Sequence, residues 1–244
     1  MDPAHPVIVN AGTGTHDQIE VNLGGGAPCT AIVEQNDEVN GIRLNPGGTL
    51  RVAAGATLAK SQVSAVTNYF DITGTLDLAG GALLSRAGGP TPAQFRTMIT
   101  NGRNGGTSNG TSASGAINSS LAASTPISDS VGYGLGSEIA PSTIGGFSIG
   151  ANDTLLRYTR DGDADLNGSV NLNDFNRVAA NFGQSNKVWV HGDSNYDGVV
   201  NLADFNALAG NFGQTAAGPD VFARLPISGI NGADKLRDLL TDLT

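Results

Sequence analysis

The segment Gly162–Gln184, GDADLNGSVNLNDFNRVAANFGQ, is written again as Gly192–Gln214, GDSNYDGVVNLADFNALAGNFGQ. Fourteen of the 23 aligned positions are identical, so both copies must adopt one local structure. Each copy opens with the spacing of a twelve-residue cation loop, D-x-[DN]-x-[DN]-G, closed by an acid at position 12. In the first copy Asp163, Asp165 and Asn167 hold positions 1, 3 and 5, Gly168 turns the chain, Ser169 offers its carbonyl at position 7 and Asp174 closes. In the second copy Asp193, Asn195, Asp197, Gly198, Val199 and Asp204 take the same places. A hard cation wants six to eight oxygens at about 2.3–2.6 Å, and alternate residues of a tight loop aim theirs inward. Two Ca2+ ions are therefore expected, one per loop. Position 8 is Val170 or Val200, and these two are expected to join the loops back to back through a short β-bridge.

The flanks are unlike those of an ordinary EF-hand, which has a helix on both sides. Leu155–Thr159 and Val188–Val190 read as extended lead-ins. Only the outgoing helices are present. They carry Phe175, Val178, Ala179 and Phe182, then Phe205, Leu208, Ala209 and Phe212, at the spacing of one helical face. Gly183 and Gly213 are the expected stops.

A duplicated loop-plus-one-helix unit with Asp at position 12 resembles the type I dockerin domain. That resemblance implies a small extracellular module, folded by calcium, that attaches its carrier to a cohesin. Cohesin-binding dockerins usually have small hydroxyl residues at positions 10 and 11. Here those positions are Leu172–Asn173 and Leu202–Ala203, a departure that concerns the partner and leaves the cation ligands intact.

Ahead of this module, residues 1–90 read as short strands between glycine turns: Val7–Val9, Ile19–Leu23, Ala31–Val33, Ile42–Leu44, Leu50–Val52 and Ile72–Leu78. Gly47–Leu58, GGTLRVAAGATL, is echoed by Thr73–Leu84, TGTLDLAGGALL, with apolar residues alternating in both. This spacing suits the rungs of a parallel β-solenoid and resembles the repeats of bacterial autotransporter-type passenger domains. An antiparallel sandwich or jelly roll satisfies the same alternation. The fold class expected is thus mainly β, solenoid-like or sandwich, carrying a small α module of paired loop–helix units. The expected divisions are 1–160, 161–214 and 215–244.

Thr91–Asn101 has the marks of a helix: Thr91 as N-cap, Pro92 at the first helical position, an apolar stripe of Phe95, Met98 and Ile99, and Gly102 as the stop. Asn101–Ser120 is polar and glycine-rich and reads as a surface loop. It holds two glycosylation triplets, at Asn109 and Asn118, where a glycan would attach. The run GRNGG–NGT–INSS, then GYG and LLRYTRDGDADLNG, resembles a module of large secreted proteins from planctomycete-type bacteria. There a glycine-rich β-region joins a dockerin-like calcium pair, and the likeness extends from about Phe95 to Gln214. Beyond Gln214 a linker leads to ADKLRDLLTDL, where Leu236, Leu239, Leu240 and Leu243 form an amphipathic stripe that something must cover.

Composition narrows the function. A net charge of −9 argues against nucleic acid, which needs a basic face. Asp161–Gln214 carries seven acids against two bases, concentrating the negative charge where a cation would sit. Only 14% of residues are charged and 5% aromatic, while 35 are glycine, the profile of a turn-rich extracellular β-protein. No stretch has the length and apolarity of a membrane span. The first ten residues lack the basic and apolar regions of a signal peptide, so the chain is expected to be a mature or trimmed form of a secreted precursor. The single cysteine, Cys29, excludes an internal disulfide framework and reads as a small buried hydrophobe.

No catalytic constellation emerges. His5, His16 and His191 lack metal-site spacing, and the glycine runs at Gly12–Gly14 and Gly24–Gly26 lack a dinucleotide context. Glu34, Asp37 and Glu38 read as solvated acids. The chain is expected to be a non-enzymatic, calcium-binding structural protein whose partners are copies of itself or a cohesin-like protein. A polysaccharide-binding module is the alternative, weakened by the scarcity of aromatic platforms.

Overall fold

The computed structural model describes residues 7–9, 15–22, 28–60, 70–112, 115–124 and 128–216. The chain is mostly β, with mixed sheets and few helices. Its first strands are β1 (Val7–Val9), β2 (Thr15–Val21), β3 (Cys29–Val33), β4 (Asp37–Leu44), β5 (Gly48–Val52), β6 (Thr57–Lys60), β7 (Phe70–Ile72), β8 (Thr75–Asp77) and β9 (Ala82–Ser85). They alternate between two sheets. β1, β3, β5 and β8 pair in parallel in one; β2, β4, β6 and β9 pair in parallel in the other, and β7 adds to β4. Successive turns of chain therefore stack as coils, and no antiparallel hairpin joins these strands.

The register explains the alternation seen in the sequence. Ala31, Leu50, Leu76 and Ile117 lie opposite one another across the first sheet, and all are buried. Leu58, Leu83 and Leu156 do the same across the second. Each fully buried leucine contributes about 1.5–3 kcal/mol, so these ladders are the main cohesive element of the coil. The outward rows carry charge instead. Arg51 Nε meets Asp77 Oδ2 at 2.7 Å, and Arg43 bridges Glu20 and Asp71 on the neighbouring coils at 3.3 and 3.7 Å. The two echoing segments pair as their sequences align from Thr49↔Thr75 to Arg51↔Asp77, then slip by one residue, so that Leu58 faces Leu83 and not Leu84.

One end of the coil is closed. After β9, helix α1 (Pro92–Arg103) starts at the Thr91 N-cap, with a capping box to Gln94. Phe95 and Ile99 enter the core and Phe70 meets Phe95 edge to face at 5.4 Å. The helix does not stop at Gly102. It ends at Asn104, and Gly102 is there for close approach: a Cβ would lie 2.1 Å from the Ile117 carbonyl oxygen. Part of the expected surface loop is thereby drawn into the core as β10 (Ala116–Asn118), which completes the first sheet, followed by the short α2 (Ser120–Ser124). Ala116 and Ile117 are fully buried. Asn118 is half-buried with its Oδ1 enclosed, a poor glycan acceptor, whereas Asn109 is exposed.

β11 (Asp129–Leu135), the hairpin of β12 (Thr143–Ile144) and β13 (Phe147–Ser148), and β14 (Thr154–Arg160) finish the body. β14 runs antiparallel between β9 and β11. At the opposite end β1 and β2 are the outermost strands of their sheets, each pairing on one side only among the described residues. Cys29 is a free, half-buried thiol packed against the core. No helix among the described residues is long and apolar enough to cross a membrane. The leucine stripe expected over residues 233–243 lies outside the described residues.

Alanine is favoured over glycine within a helix by about 1 kcal/mol. At residue 102 the clash with β10 backbone should win: Gly102→Ala is expected to destabilise the protein by about 1–3 kcal/mol in chemical denaturation. A neutral or stabilising result would show that α1 does not sit against β10 as described.

Candidate metal centre

β14 runs into the first of the two repeats, and two short helices follow the loops: α3 (Leu172–Asn181) and α4 (Leu202–Asn211). Both begin in the same way. Asn171 and Asn201, at loop position 9, are N-caps whose side chains accept from the backbone N–H two residues on, at 2.9 and 2.7 Å. The acids at position 12 complete capping boxes: Asp174 Oδ2 and Asp204 Oδ2 accept from the N–H groups of Asn171 and Asn201 at 2.9 and 3.0 Å. Their other oxygens reach back across the loops, to the N–H of Asp165 at 2.9 Å and of Ser194 at 3.0 Å. Aspartate at position 12 thus ties the start of the helix to the start of the loop. The position 9 asparagines were legible as N-x-x-D capping boxes but are absent from the expected ligand set.

Loop one brings its carboxylates together. Asp163, Asp165 and Asp174 are buried, and one ligand oxygen from each lies within 4.8 Å of the others. Among the described residues this is the only such group of three His, Cys, Asp or Glu side chains. Asp163 accepts from the Thr159 hydroxyl and from the N–H groups of Asn167 and Gly168 at 3.1 and 3.0 Å. Asn167 Oδ1 turns to the Ser169 N–H at 2.8 Å, and the Ser169 carbonyl accepts from Asn171 Nδ2 at 3.1 Å.

Loop two is more open. Asp193 and Asp204 are buried, but Asp197 is exposed and Asn195 half-exposed, linked to each other through Asn195 Nδ2 and Asp197 Oδ2 at 3.0 Å. The Val199 carbonyl accepts from Asn201 Nδ2 at 3.3 Å. Asp193 Oδ1 is enclosed with no hydrogen-bond partner. The glycines at position 6 have the positive φ their turn requires, 90° at Gly168 and 87° at Gly198.

Each loop sets an arginine of the body beside its first acid. In loop one the buried Arg157 acts on Asp163, one of three clustered carboxylates. In loop two Arg96 Nη2 lies 4.0 Å from Asp193 Oδ2, while Asp197 is exposed. The three buried acids of loop one outnumber the one guanidinium beside them. Burying unpaired charge costs several kcal/mol per ion, and an all-oxygen donor set suits a hard divalent cation. The residues present fit that ion.

The loops do not join through Val170 and Val200. Ser169 bridges to Thr215 and Val199 to Ser185, so each loop pairs with the segment that follows the other repeat's helix. Val170 and Val200 instead share a small core with Val178 and Leu208. Of the anticipated helical stripe, Phe205 also packs against it, whereas Phe175, Phe182 and Phe212 remain between 36% and 53% exposed; Leu172 and Leu202, outside that stripe, are 63% and 62% exposed. The second lead-in is also not extended, since Trp189–His191 forms a single 3-10 turn. Trp189 donates from Nε1 to the Asp163 carbonyl at 2.7 Å. Gly132 permits this docking, because a Cβ there would lie 2.5 Å from Leu166 and 2.7 Å from the indole nitrogen. Leu166, Trp189 and Tyr196 belong to the same buried cluster as the strands.

Comparison of the chain with protein-family models, curated proteins and solved structures found no match.

Burial pushes the Asp163 carboxyl from 3.8 up to about 7, and the Asp174 and Asp193 carboxyls up to about 6. The folded, cation-free protein therefore holds protons that the unfolded chain has released. Its stability should be greatest below 3.8 as far as these groups decide, fall as pH rises from there, and reach its lowest level above about 7. In excess chelator, calorimetry is expected to give a higher melting temperature at about pH 5 than at about pH 8. Asp163→Asn should reduce that difference, leaving the part due to Asp174 and Asp193, and an unchanged slope in the variant would exclude Asp163 as a source.

Proposed function

We propose that this chain is a secreted, calcium-binding structural or assembly protein, in which each of the duplicated loops holds one Ca2+. The carrying observation is that loop one brings three buried carboxylates, Asp163, Asp165 and Asp174, within 4.8 Å of one another, in a spacing that loop two repeats. Asp163, Asp165, Asn167, Ser169 and Asp174 would hold the first ion; Asp193, Asn195, Asp197, Val199 and Asp204 would hold the second. Asn171 and Asn201 donate from Nδ2 to the position 7 carbonyls, so each carbonyl would serve the ion through its second lone pair or on release of that bond. Binding of this kind fills reliably at extracellular calcium levels, which supports an extracellular location. The dockerin resemblance belongs to the same reading.

In this proposal the coil is the building block, read as a short β-solenoid. One end is covered by α1 and the loop–helix pair. At the other end β1 and β2 leave sheet edges that a second copy could extend. Calcium would lock the covered end.

A second reading is favoured by a specific observation: five exposed apolar side chains on or just after α3 and α4, among them both residues at position 10. Such a patch suits a protein partner, cohesin-like in role but with an apolar contact face. Here the chain would be a non-catalytic docking module.

Sedimentation and negative-stain microscopy in millimolar calcium, and again in excess EGTA, separate the two. Ordered assemblies that dissolve in EGTA, and that are lost on deletion of residues 1–11, are the expected result. Monomers under both conditions would overturn assembly in favour of docking. Calorimetric titration is expected to count two ions per chain, the enclosed first loop filling before the open second, and a count of zero would overturn calcium binding itself.

A further inference from the structure

The repeats meet the β-body through one contact made twice. In loop one the Leu166 carbonyl, at position 4, accepts from Arg157 Nη1 at 3.0 Å. In loop two the Tyr196 carbonyl, also at position 4, accepts from Arg96 Nη2 at 2.6 Å. Each guanidinium also lies over the loop glycine, 3.1 Å from a Cβ placed at Gly168 and 3.5 Å from one at Gly198. The arginines are not part of the repeat. Arg157 comes from β14 and Arg96 from α1, yet both reach the same atom of their loop.

Position 4 lies between the ligand positions 3 and 5. In both loops it has left-handed φ, 59° at Leu166 and 64° at Tyr196. Both side chains are buried in the main core, where Tyr196 stacks on Tyr133 at 6.3 Å and lies under Arg103 at 5.3 Å. Any movement of residues 3 and 5 as they close on an ion must move the peptide that the arginine holds. The planar guanidinium fork resists such movement, because losing it leaves a buried carbonyl unsatisfied.

We infer that Arg96 and Arg157 are positioning residues that couple cation occupancy of the two loops to the closed end of the coil. Calcium would then stabilise β10 and β11 along with the loop–helix pair. The path at loop two is explicit: Arg96 lies on α1, whose Phe95 and Ile99 pack into the core beside β10. This inference rests on the calcium reading. The alternative role, a counter-charge alone, is separable because lysine keeps the charge and loses the fork.

The test uses the full chain, with ion binding read by calorimetry and coupling by hydrogen exchange at the amides of Ile117 and Val131. In the wild type, saturating calcium should slow exchange at both by about tenfold or more. Arg96 is 33% exposed at its side chain, so its variants do not empty a buried site. Arg96→Lys and Arg96→Met are each expected to bind two ions while the slowing falls to about threefold or less. Arg157→Met, checked by circular dichroism for folding, extends the test to loop one. Full slowing retained in Arg96→Lys would overturn positioning in favour of counter-charge. Equal slowing in the wild type and both Arg96 variants would overturn the coupling and leave calcium binding intact. No calorimetric binding in the wild type would overturn the calcium reading and the coupling with it.

Discussion

Three carboxylates held within reach of one another inside a protein repel, and the repulsion must be opposed by something. In loop one the opposition comes from N–H groups of the loop, from the Thr159 hydroxyl and from Arg157, all aimed at acids with almost no access to water. Much of the surrounding architecture follows from that need. β14 supplies both Thr159 and Arg157, so a strand set inside the second sheet, between β9 and β11, is also the strand that organises the loop. Trp189 seals the Asp163 carbonyl, and Gly132 makes room for the indole. The body of the protein and its acidic loops are therefore one packed object, joined by side chains that serve both.

The stacked coils solve a different problem. Parallel strands in register place like residues above like, so that apolar side chains form continuous inward ladders while charges alternate in sign along outward rows. Arg43 between Glu20 and Asp71, and Arg51 beside Asp77, show this arrangement on both sheets. The exposed pairs of Arg43 add little energy individually. Their larger effect is on register, since a slip of one residue would bring apolar and charged rows into opposition.

Sequence reasoning reached the parts of this structure that depend on local pattern. Alternation located several of the strands, Thr91 as N-cap with Pro92 located the start of α1, and repeat spacing located the loops and helices. It failed where distant chain segments decide. Gly102 reads as a helix stop until β10 is seen against it. Ala116–Asn118 sits in a polar run too short to signal a strand, and becomes one because Thr75–Asp77 offers a free edge. Val170 and Val200 do not form the expected bridge between the loops; the bridges run from Ser169 and Val199 to residues after the opposite helices, which spacing within a repeat cannot reveal. Arg96 and Arg157 carry no local signal at all. The capping asparagines did carry one, in N-x-x-D, masked by attention to the cation spacing.

The exchange of partners between the two loops has a consequence for how the chain is made. Ser169 pairs with Thr215, and the Val170 carbonyl and amide bond Gly213 and Gln214, so loop one is completed only by residues that follow α4. During synthesis the coil emerges first and can stack as it appears, rung on rung. The first loop must wait, with its acids in water, until the last helix of the pair has arrived. The acidic end of the molecule thus can be completed only after the framework that receives it has been made.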